Sequence, residues 1–281
     1  MIRTVLIPAD FTPECELVVR FAAGLARSGV TRAIVAHVVD GSGSDGSAIA
    51  GTVDAARDRM GVLVAPLREA GIDAEVRIPT GEPEAELLAL ATEACVDAIV
   101  IGTRGGSASD TFFAGGSVSE RVALGARVPV LLARYDLLRT QEDPGRLARE
   151  FAHKLLVPTD FSATAQRAFD VATALPASAI GALRVMYVLP DETGERAERT
   201  ESGAEFQLRN LVAVAKESGI AAQATIGRGA PERAILAEID ERRITGVVVG
   251  TRGRGLLAPG VIGSVSMTLV RQASCPVMIV S

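Results

Sequence analysis

The sequence predicts two fused copies of one α/β domain, each with five parallel strands separated by four helices. The first observation is a repeat on the scale of a domain, because residues 5–12, VLIPADFT, return at 155–162 as LLVPTDFS. The order of landmarks is kept, since 101–106, IGTRGG, return at 249–254 as VGTRGR. The second observation is the short continuous run of Val, Ile or Leu, such as 247–249, which is typical of strands covered by helices on both faces. Solenoid repeats are far shorter, at about 20 to 50 residues.

The elements of the second copy alternate without a break. Short apolar runs predict the strands, and amphipathic runs between them predict the helices. The predicted order is strand 154–158, helix 162–175, strand 182–188, helix 196–218, strand 221–226, helix 230–243, strand 246–250, helix 264–273 and strand 276–280. Pro231 favours a helix start at its position, because a helix leaves the amide of its first residue unpaired in any case. The first copy repeats this pattern, with a Gly/Ser loop at 41–47 before its long helix.

The repeat also sets the domain boundaries. We predict a first domain at 1–136, a polar and charged linker at 137–149 and a second domain at 150–281. Each domain is long enough for its own core. Because an apolar edge strand is a liability unless it is covered, we expect the fifth strands, 128–133 and 276–280, to pair the two halves about a pseudo-two-fold axis.

Composition excludes several classes of function. The chain has 29 basic and 34 acidic residues, a formal net charge of −5, which disfavours nucleic acid and anionic membranes as partners. The apolar run at the N-terminus is too short for a signal peptide, and no segment approaches the roughly 20 apolar residues of a membrane span. We therefore expect a cytoplasmic protein.

The few cysteines and histidines predict no metal or catalytic site. The three cysteines form no CxxC pair, and with only two histidines the zinc-binding spacings are missing. We expect Cys95 and Cys275 to be buried structural thiols and His37 to be a satisfied core residue. No Ser-His-Asp set or pair of catalytic carboxylates is found.

The residues with binding chemistry follow strand ends. Asp10 and Asp160 directly follow the first strand of each copy, and Gly102 and Gly250 end the fourth, so they share the edge where parallel α/β sheets bind ligands. After Gly250 the second copy has the pattern Gly-x2-Gly-x9-Gly-Ser, which ends where the last helix begins. Glycines let backbone amides close around an anion, and the helix start adds amides aligned with its dipole. This arrangement suits a diphosphate or triphosphate.

With this loop and the PTDFS segment at 158–162, the chain resembles a tandem universal stress protein along almost all of both halves. The G-x2-G-x9-G-[ST] pattern is that family's ATP-binding signature. The resemblance implies an adenine nucleotide alpha hydrolase-like, Rossmann-like fold with strand order 3-2-1-4-5, often paired through its last strand. It also implies ATP as ligand, with AMP, ADP or a cyclic nucleotide as alternatives, a role in stress response, and a homodimer.

The resemblance also implies site residues. In the second copy, Asp160 and Val188 would face the adenine and ribose, and the glycine loop would enclose the ribose and phosphates. The implied nucleotide-binding residues are Pro158, Thr159, Asp160, Val188, Gly250, Arg252, Gly253, Gly263, Ser264, Val265 and Ser266. The corresponding, weaker site of the first copy comprises Asp10, Val38, Gly102, Gly105, Gly116, Ser117, Val118 and Ser119.

The first copy departs from the signature. Ten residues separate Gly105 from Gly116, and the loop contains Asp110. Starting the motif at Gly106 restores the nine-residue gap but puts Thr103 in place of the first glycine. Because an added carboxylate repels a triphosphate and an insertion displaces the glycines, we expect this site to be weaker or empty.

Structural interpretations of the same residues remain open. Asp10 and Asp160 precede the good N-cap residues Thr12 and Ser162, so the carboxylates could support helix starts alone. The loop glycines could serve only tight turns, and Ser264 could be only an N-cap. Arg252 and Arg254 could be solvated charges rather than phosphate contacts.

Other phosphate-binding chemistries are excluded by missing residues. The Walker pattern G-x4-G-K-[ST] does not occur, and the third strand ends without the acceptor aspartate of a receiver domain. Gly253-x-Gly255-x-x-Ala258 imitates a dinucleotide fingerprint but follows the fourth strand instead of the first. An enzymatic role is limited to slow ATP hydrolysis, with magnesium held mainly by the phosphates and by Ser264 or Ser266. The alternative function is a nucleotide-independent scaffold for a protein partner.

Overall fold

The computed structural model describes residues 1–39, 46–103, 118–190, 195–253 and 262–281. The chain divides into two compact units: the first comprises residues 2–149, and the second comprises 150–281 together with Met1. Several predicted site residues lie outside the described residues, namely Gly105, Gly116 and Ser117 of the first unit, with Asp110 and Arg254. Within the described ranges, no helix combines the length and apolar character that crossing a membrane requires.

The first unit is a parallel sheet of five strands with the order β3-β2-β1-β4-β5. Its strands are β1 (Thr4–Pro8), β2 (Arg32–Ala36), β3 (Asp73–Arg77), β4 (Ala98–Thr103) and β5 (Val130–Arg134). Its α-helices are α1 (Pro13–Ala23), α2 (Gly46–Leu63), α3 (Ala65–Glu69), α4 (Pro83–Glu93), α5 (Val118–Gly125), α6 (Tyr135–Arg139) and α7 (Gly145–Glu150). The centre of the sheet is apolar: Leu6 on β1 pairs with Ile34 and Ile99, and none of the three is exposed.

The second unit repeats this topology with the order β8-β7-β6-β9-β10. Its strands are β6 (Lys154–Pro158), β7 (Ala182–Leu189), β8 (Ala222–Arg228), β9 (Gly246–Gly250) and β10 (Val277–Val280). Its α-helices are α8 (Ala163–Thr173), α9 (Glu195–Glu217), α10 (Pro231–Arg242) and α11 (Ser264–Gln272). The predicted fold class, including the strand order, is therefore confirmed.

The segment predicted as a polar linker contains two short helices, α6 and α7. Leu138 and Ala148 in these helices are fully buried, and both belong to the first compact unit. The backbone of Gly145 lies so close to Gly24 that a Cβ at Gly24 would be 2.1 Å from the Gly145 carbonyl oxygen. The segment thus packs on the first unit, although its composition is mostly polar.

The second unit contains a largely buried ion pair on β7 and α10. Arg184 Nε lies 3.2 Å from Glu238 Oε1, with side chains 22% and 10% exposed. The Arg184 guanidinium also donates to Thr225 Oγ1 at 2.7 Å. The first unit has apolar residues at both corresponding positions, Ile34 and Leu90, and both are buried. At these corresponding positions, the second unit therefore has an ion pair where the first unit has two apolar side chains.

The cysteine prediction is half correct. Cys275 is 3% exposed, as expected, and Cys15 is also buried, at 4%. Cys95 is exposed, so its predicted burial is wrong. The reason is local: Cys95 follows α4 with a left-handed φ of 49°, where the chain turns away from the helix. His37 lies just after β2, half-buried, with Nδ1 2.8 Å from the Ala9 carbonyl oxygen.

This difference in burial predicts selective thiol chemistry. In the folded protein we expect a small alkylating reagent to modify Cys95 first, because burial protects Cys15 and Cys275 and raises the pKa of the Cys15 thiol. Peptide mass mapping after brief labelling measures this directly. Labelling in urea is the control and should reach all three thiols. Equal labelling of Cys15 and Cys95 without denaturant would contradict the described burial.

Candidate functional site

The aspartates after the first strands support helix starts. Asp160 Oδ1 accepts a hydrogen bond from the Ser162 amide at 3.0 Å, and Asp10 Oδ1 accepts from the Thr12 amide at the same distance. Ser162 is the N-cap of α8, and its Oγ accepts from the Ala165 amide. Both carboxylates therefore support helix starts through Oδ1, as the structural interpretation expects.

In the second unit, the other carboxylate oxygen of Asp160, Oδ2, faces the loop after β9. A Cβ at Gly253 would lie only 2.6 Å from Asp160 Oδ2, so the side chain that ends the first strand meets the backbone that follows the fourth. A second contact fixes the loop, because Thr164 Oγ1 donates to the Arg252 carbonyl at 2.5 Å. The structure thus brings Asp160, Arg252 and Gly253 close together.

Gly250, the last residue of β9, allows close packing beneath the site. A Cβ there would lie 2.8 Å from the Thr164 carbonyl carbon and 3.0 Å from the Ala165 nitrogen, which are backbone atoms of α8. Backbone atoms cannot yield as a flexible side chain does, so this position requires glycine. The requirement is structural and holds whether or not a ligand is bound.

Helix α11 begins one residue earlier than it would if Ser264 were its N-cap. Gly263 is the N-cap, with φ −67° and ψ 154°, and Ser264 is the first helical residue, so the N-cap interpretation of Ser264 is wrong. The Gly263 amide donates to the Thr251 carbonyl at 2.7 Å, which joins the helix start to the end of β9. The next amides, of Ser264 and Val265, open α11 and lack intrahelical acceptors, as in any α-helix.

The two serines of the signature make contacts inside the protein. Ser266 is 4% exposed, and its Oγ donates to the Gly250 carbonyl at 2.6 Å, which holds α11 against β9. Ser264 is exposed, and its Oγ donates to Glu232 Oε1, at the start of α10, at 2.8 Å. Sequence reasoning did not identify Glu232. The repeat pattern could have pointed to it, since Glu84 occupies the same place in the first copy.

Threonines at the strand ends carry unsatisfied hydroxyl groups. Thr251 is 6% exposed and Thr103, its counterpart, is 1% exposed. Neither Oγ1 has a hydrogen-bond partner in the part of the chain that the structure describes. Buried hydroxyl groups are usually paired, so each lone group marks a place where a polar partner would be accommodated. Both lie directly before the glycine loops.

One member of an aromatic pair directly follows Asp160 in the chain, and the other lies on β7. Phe161, with a left-handed φ of 60°, stacks on Tyr187 with ring centroids 4.9 Å apart, next to half-buried Val188. Thr159 is buried, and its amide donates to the Met186 carbonyl at 2.8 Å, which places this turn beside β7. The pair was not predicted, although a comparison of the two copies would have matched Phe11 and His37 to it.

The first unit builds the same edge with different residues. Phe11 lies 4.3 Å from the His37 ring, and the Arg59 guanidinium lies 4.1 Å above Phe11. At Gly102 a Cβ would lie 2.1 Å from the Tyr135 ring, so here glycine makes room for α6. Val118 and Ser119 open α5, Val38 is half-buried, and the remaining predicted residues of this site lie outside the described ranges.

Comparison with known proteins decides the family. A family model described as the universal stress protein family matches residues 1–134 and 152–281, nearly the whole chain. The chain belongs to the universal stress protein family. A crystal structure of a universal stress protein from Archaeoglobus fulgidus DSM 4304 has a TM-score of 0.80 and 26% identity, covering 99% of this chain and 98% of that one. Universal stress protein YxiE of Bacillus subtilis (strain 168) is 28% identical over 146 residues, which cover 46% of this universal stress protein and 98% of YxiE.

A more distant structure shows the same fold. The crystal structure of a putative universal stress protein from Pseudomonas aeruginosa UCBPP-PA14 has a TM-score of 0.59 and 17% identity. It covers 99% of this universal stress protein and 93% of that chain. At this identity the likeness concerns the fold alone. The predicted membership of the family, with two domains in tandem, is confirmed by the family match.

Proposed function

We propose that the second unit of this universal stress protein binds an adenine nucleotide, with ATP as the first choice, and acts as a binding protein in stress regulation. The observation that carries the proposal is the meeting of Asp160, Gly253 and the start of α11 at the carboxyl edge of one parallel sheet. This edge is where α/β sheets bind ligands. Alternative adenine nucleotides are AMP, ADP and a cyclic nucleotide.

The proposed contacts follow the chemistry of each group. Asp160, beside the loop, would accept hydrogen bonds from ribose hydroxyls, and Val188 with Pro158 and Thr159 would line the base. The amides of α11, near Ser264 and Val265, would donate to phosphate oxygens with the favourable end of the helix dipole. Arg252 would add a positive charge beside the loop. The lone hydroxyl of Thr251 fits a polar ligand in this position.

Magnesium bound with ATP would neutralise phosphate charge, and most of its ligands would come from the phosphates and water. The described residues hold no group of three or more His, Cys, Asp or Glu side chains disposed around a metal. Ser264 Oγ is the more accessible candidate ligand, because Ser266 Oγ is buried against the Gly250 carbonyl. At most we propose slow ATP hydrolysis, since sequence reasoning identified no general base.

The first unit is proposed to bind nucleotide more weakly or not at all. Its loop between Gly105 and Gly116 carries one additional residue, and Asp110 adds a negative charge. The additional residue displaces the glycines, and the carboxylate of Asp110 repels the triphosphate, so both changes weaken binding. The proposal also includes a homodimer and a cytoplasmic location, which the resemblance to the family and the composition support.

Extraction of bound nucleotide tests the proposal. Protein purified without added nucleotide should release an adenine nucleotide on denaturation, at no more than about one equivalent per chain, identified by chromatography and absorbance. The background is low because the chain has no Trp and two Tyr. If the extract contains no adenine nucleotide and the protein then takes up none of ATP, ADP, AMP or cyclic AMP, the scaffold function should replace this proposal.

A further inference from the structure

The carboxylate of Glu232 lies beside the proposed phosphate site of the second unit. Glu232 Oε1 accepts the hydrogen bond of Ser264 Oγ at 2.8 Å, and Ser264 is the first residue of α11. Glu232 has no ion pair within the described residues of its unit. Among the described residues, no ion pair therefore balances its negative charge at the helix start where phosphates are proposed to bind.

The first unit pairs the corresponding carboxylate with an arginine. Glu84 Oε2 is 2.7 Å from Arg121 Nε, and Arg121 also lies 3.1 Å from Glu82 Oε1. Arg121 follows the first turn of α5, four residues after Ser117. The same place in the second unit, four residues after Ser264, is occupied by Thr268, and Glu82 is replaced by Ala230. The second unit thus keeps the acidic residue and lacks the arginine that pairs with it in the first unit.

We propose that Glu232 makes ATP binding by the second unit depend on a divalent cation, so that the site binds magnesium–ATP more tightly than free ATP. The inference rests on the proposed function. A carboxylate beside a tetra-anionic triphosphate repels it, and a magnesium ion reverses the interaction because both the phosphates and the carboxylate are oxygen donors that it attracts. Glu232 then determines whether ATP binds more tightly with magnesium or as the free anion.

Calorimetric titration of the full chain with ATP, in magnesium chloride and in EDTA, tests this proposal. For the parent protein we expect at least about a tenfold gain in affinity with magnesium. In Glu232→Gln the amide oxygen can still accept from Ser264, and the charge is gone. We expect this variant to bind free ATP about tenfold better than the parent and to gain less than about threefold from magnesium.

Two further variants test whether the effect depends on the charge at this position. Thr268→Arg introduces the arginine of the first unit and should also raise the affinity for free ATP, although Glu232 is retained. Glu241→Gln removes one negative charge from the exposed end of α10 and should behave like the parent in both buffers. A thermal melt of each variant verifies folding; if Thr268→Arg does not fold, Glu232→Gln decides the question.

The outcomes separate this inference from the function on which it rests. If the parent binds ATP and Glu232→Gln shows the same affinity in EDTA and the same gain from magnesium, the role of Glu232 is refuted and the proposed function stands. An equal effect of Glu241→Gln would also refute it, since net charge alone would then explain the result. If the parent binds ATP in neither buffer, both proposals are overturned.

Discussion

Replacing Gly263 with valine is expected to weaken ATP binding by the full chain at least about tenfold. Gly263 is the buried N-cap of α11, where the backbone is proposed to approach the phosphates. Its φ of −67° is open to valine, so the expected loss comes from the bulk of the β-branched side chain beside the phosphates. Each charge-assisted hydrogen bond lost to a phosphate costs about 1.5 to 3 kcal/mol.

The matched control for this variant is Gly116→Val, at the same place in the loop of the first unit. It should change ATP affinity much less, because the first site is proposed to be weak or empty. Circular dichroism and thermal melting must show that both variants fold, since valine is a poor N-cap residue and costs about 1 kcal/mol at such a position. A folded Gly263→Val protein that binds ATP like the parent would refute the assignment of the phosphate loop.

Removal of Glu238 is expected to give the largest loss of stability. Glu238→Ala should lower the free energy of unfolding of the second unit by about 3 kcal/mol, within the 3 to 5 kcal/mol typical of broken buried pairs. The low end applies because Arg184 is 22% exposed and water partly screens the charge left behind. The truncated side chain also leaves a cavity between α10 and the sheet. Urea unfolding followed by circular dichroism measures the loss.

The first unit supplies the control for this prediction. The double variant Arg184→Ile, Glu238→Leu copies the buried pair Ile34 and Leu90 and should unfold within about 1 kcal/mol of the parent, or later, because apolar replacements of buried ion pairs are often neutral or stabilising. If Glu238→Ala costs less than about 1 kcal/mol, the pair is effectively solvated. A double variant less stable than the single one would show that the pair contributes specific packing.

The repeat and the apolar runs made most of the fold predictable. The bounds predicted for the strands at 154–158 and 246–250 agree with β6 and β9, because both are continuous apolar runs that end at proline or glycine. The sequence does not predict the helices α6 and α7, because they are only five and six residues long and too short to show a helical period. Tertiary contacts such as the burial of Leu138 and Ala148 stabilise them. Local pattern carries no information about such contacts.

The candidate site was only partly predictable. Topology alone puts Asp160 and Gly250 on one edge of the sheet, because both stand at carboxyl ends of parallel strands. The contact between Ser264 and Glu232 joins two helix starts, and the distance between them depends on how both helices pack. Outside the site, the exposure of Cys95 depends on a left-handed backbone angle that a cysteine rarely adopts. Neither feature has a periodic signal in the sequence.

Titration of the intact, nucleotide-free chain with magnesium–ATP tests the central proposal most directly. We expect about one tight equivalent per chain, which Gly263→Val weakens and Gly116→Val leaves unchanged, because only the second unit carries the undisturbed loop. Two equal sites, or a single site that responds to Gly116→Val alone, would contradict the assignment to the second unit. Absence of binding in the folded parent protein would contradict the proposed nucleotide-binding function itself.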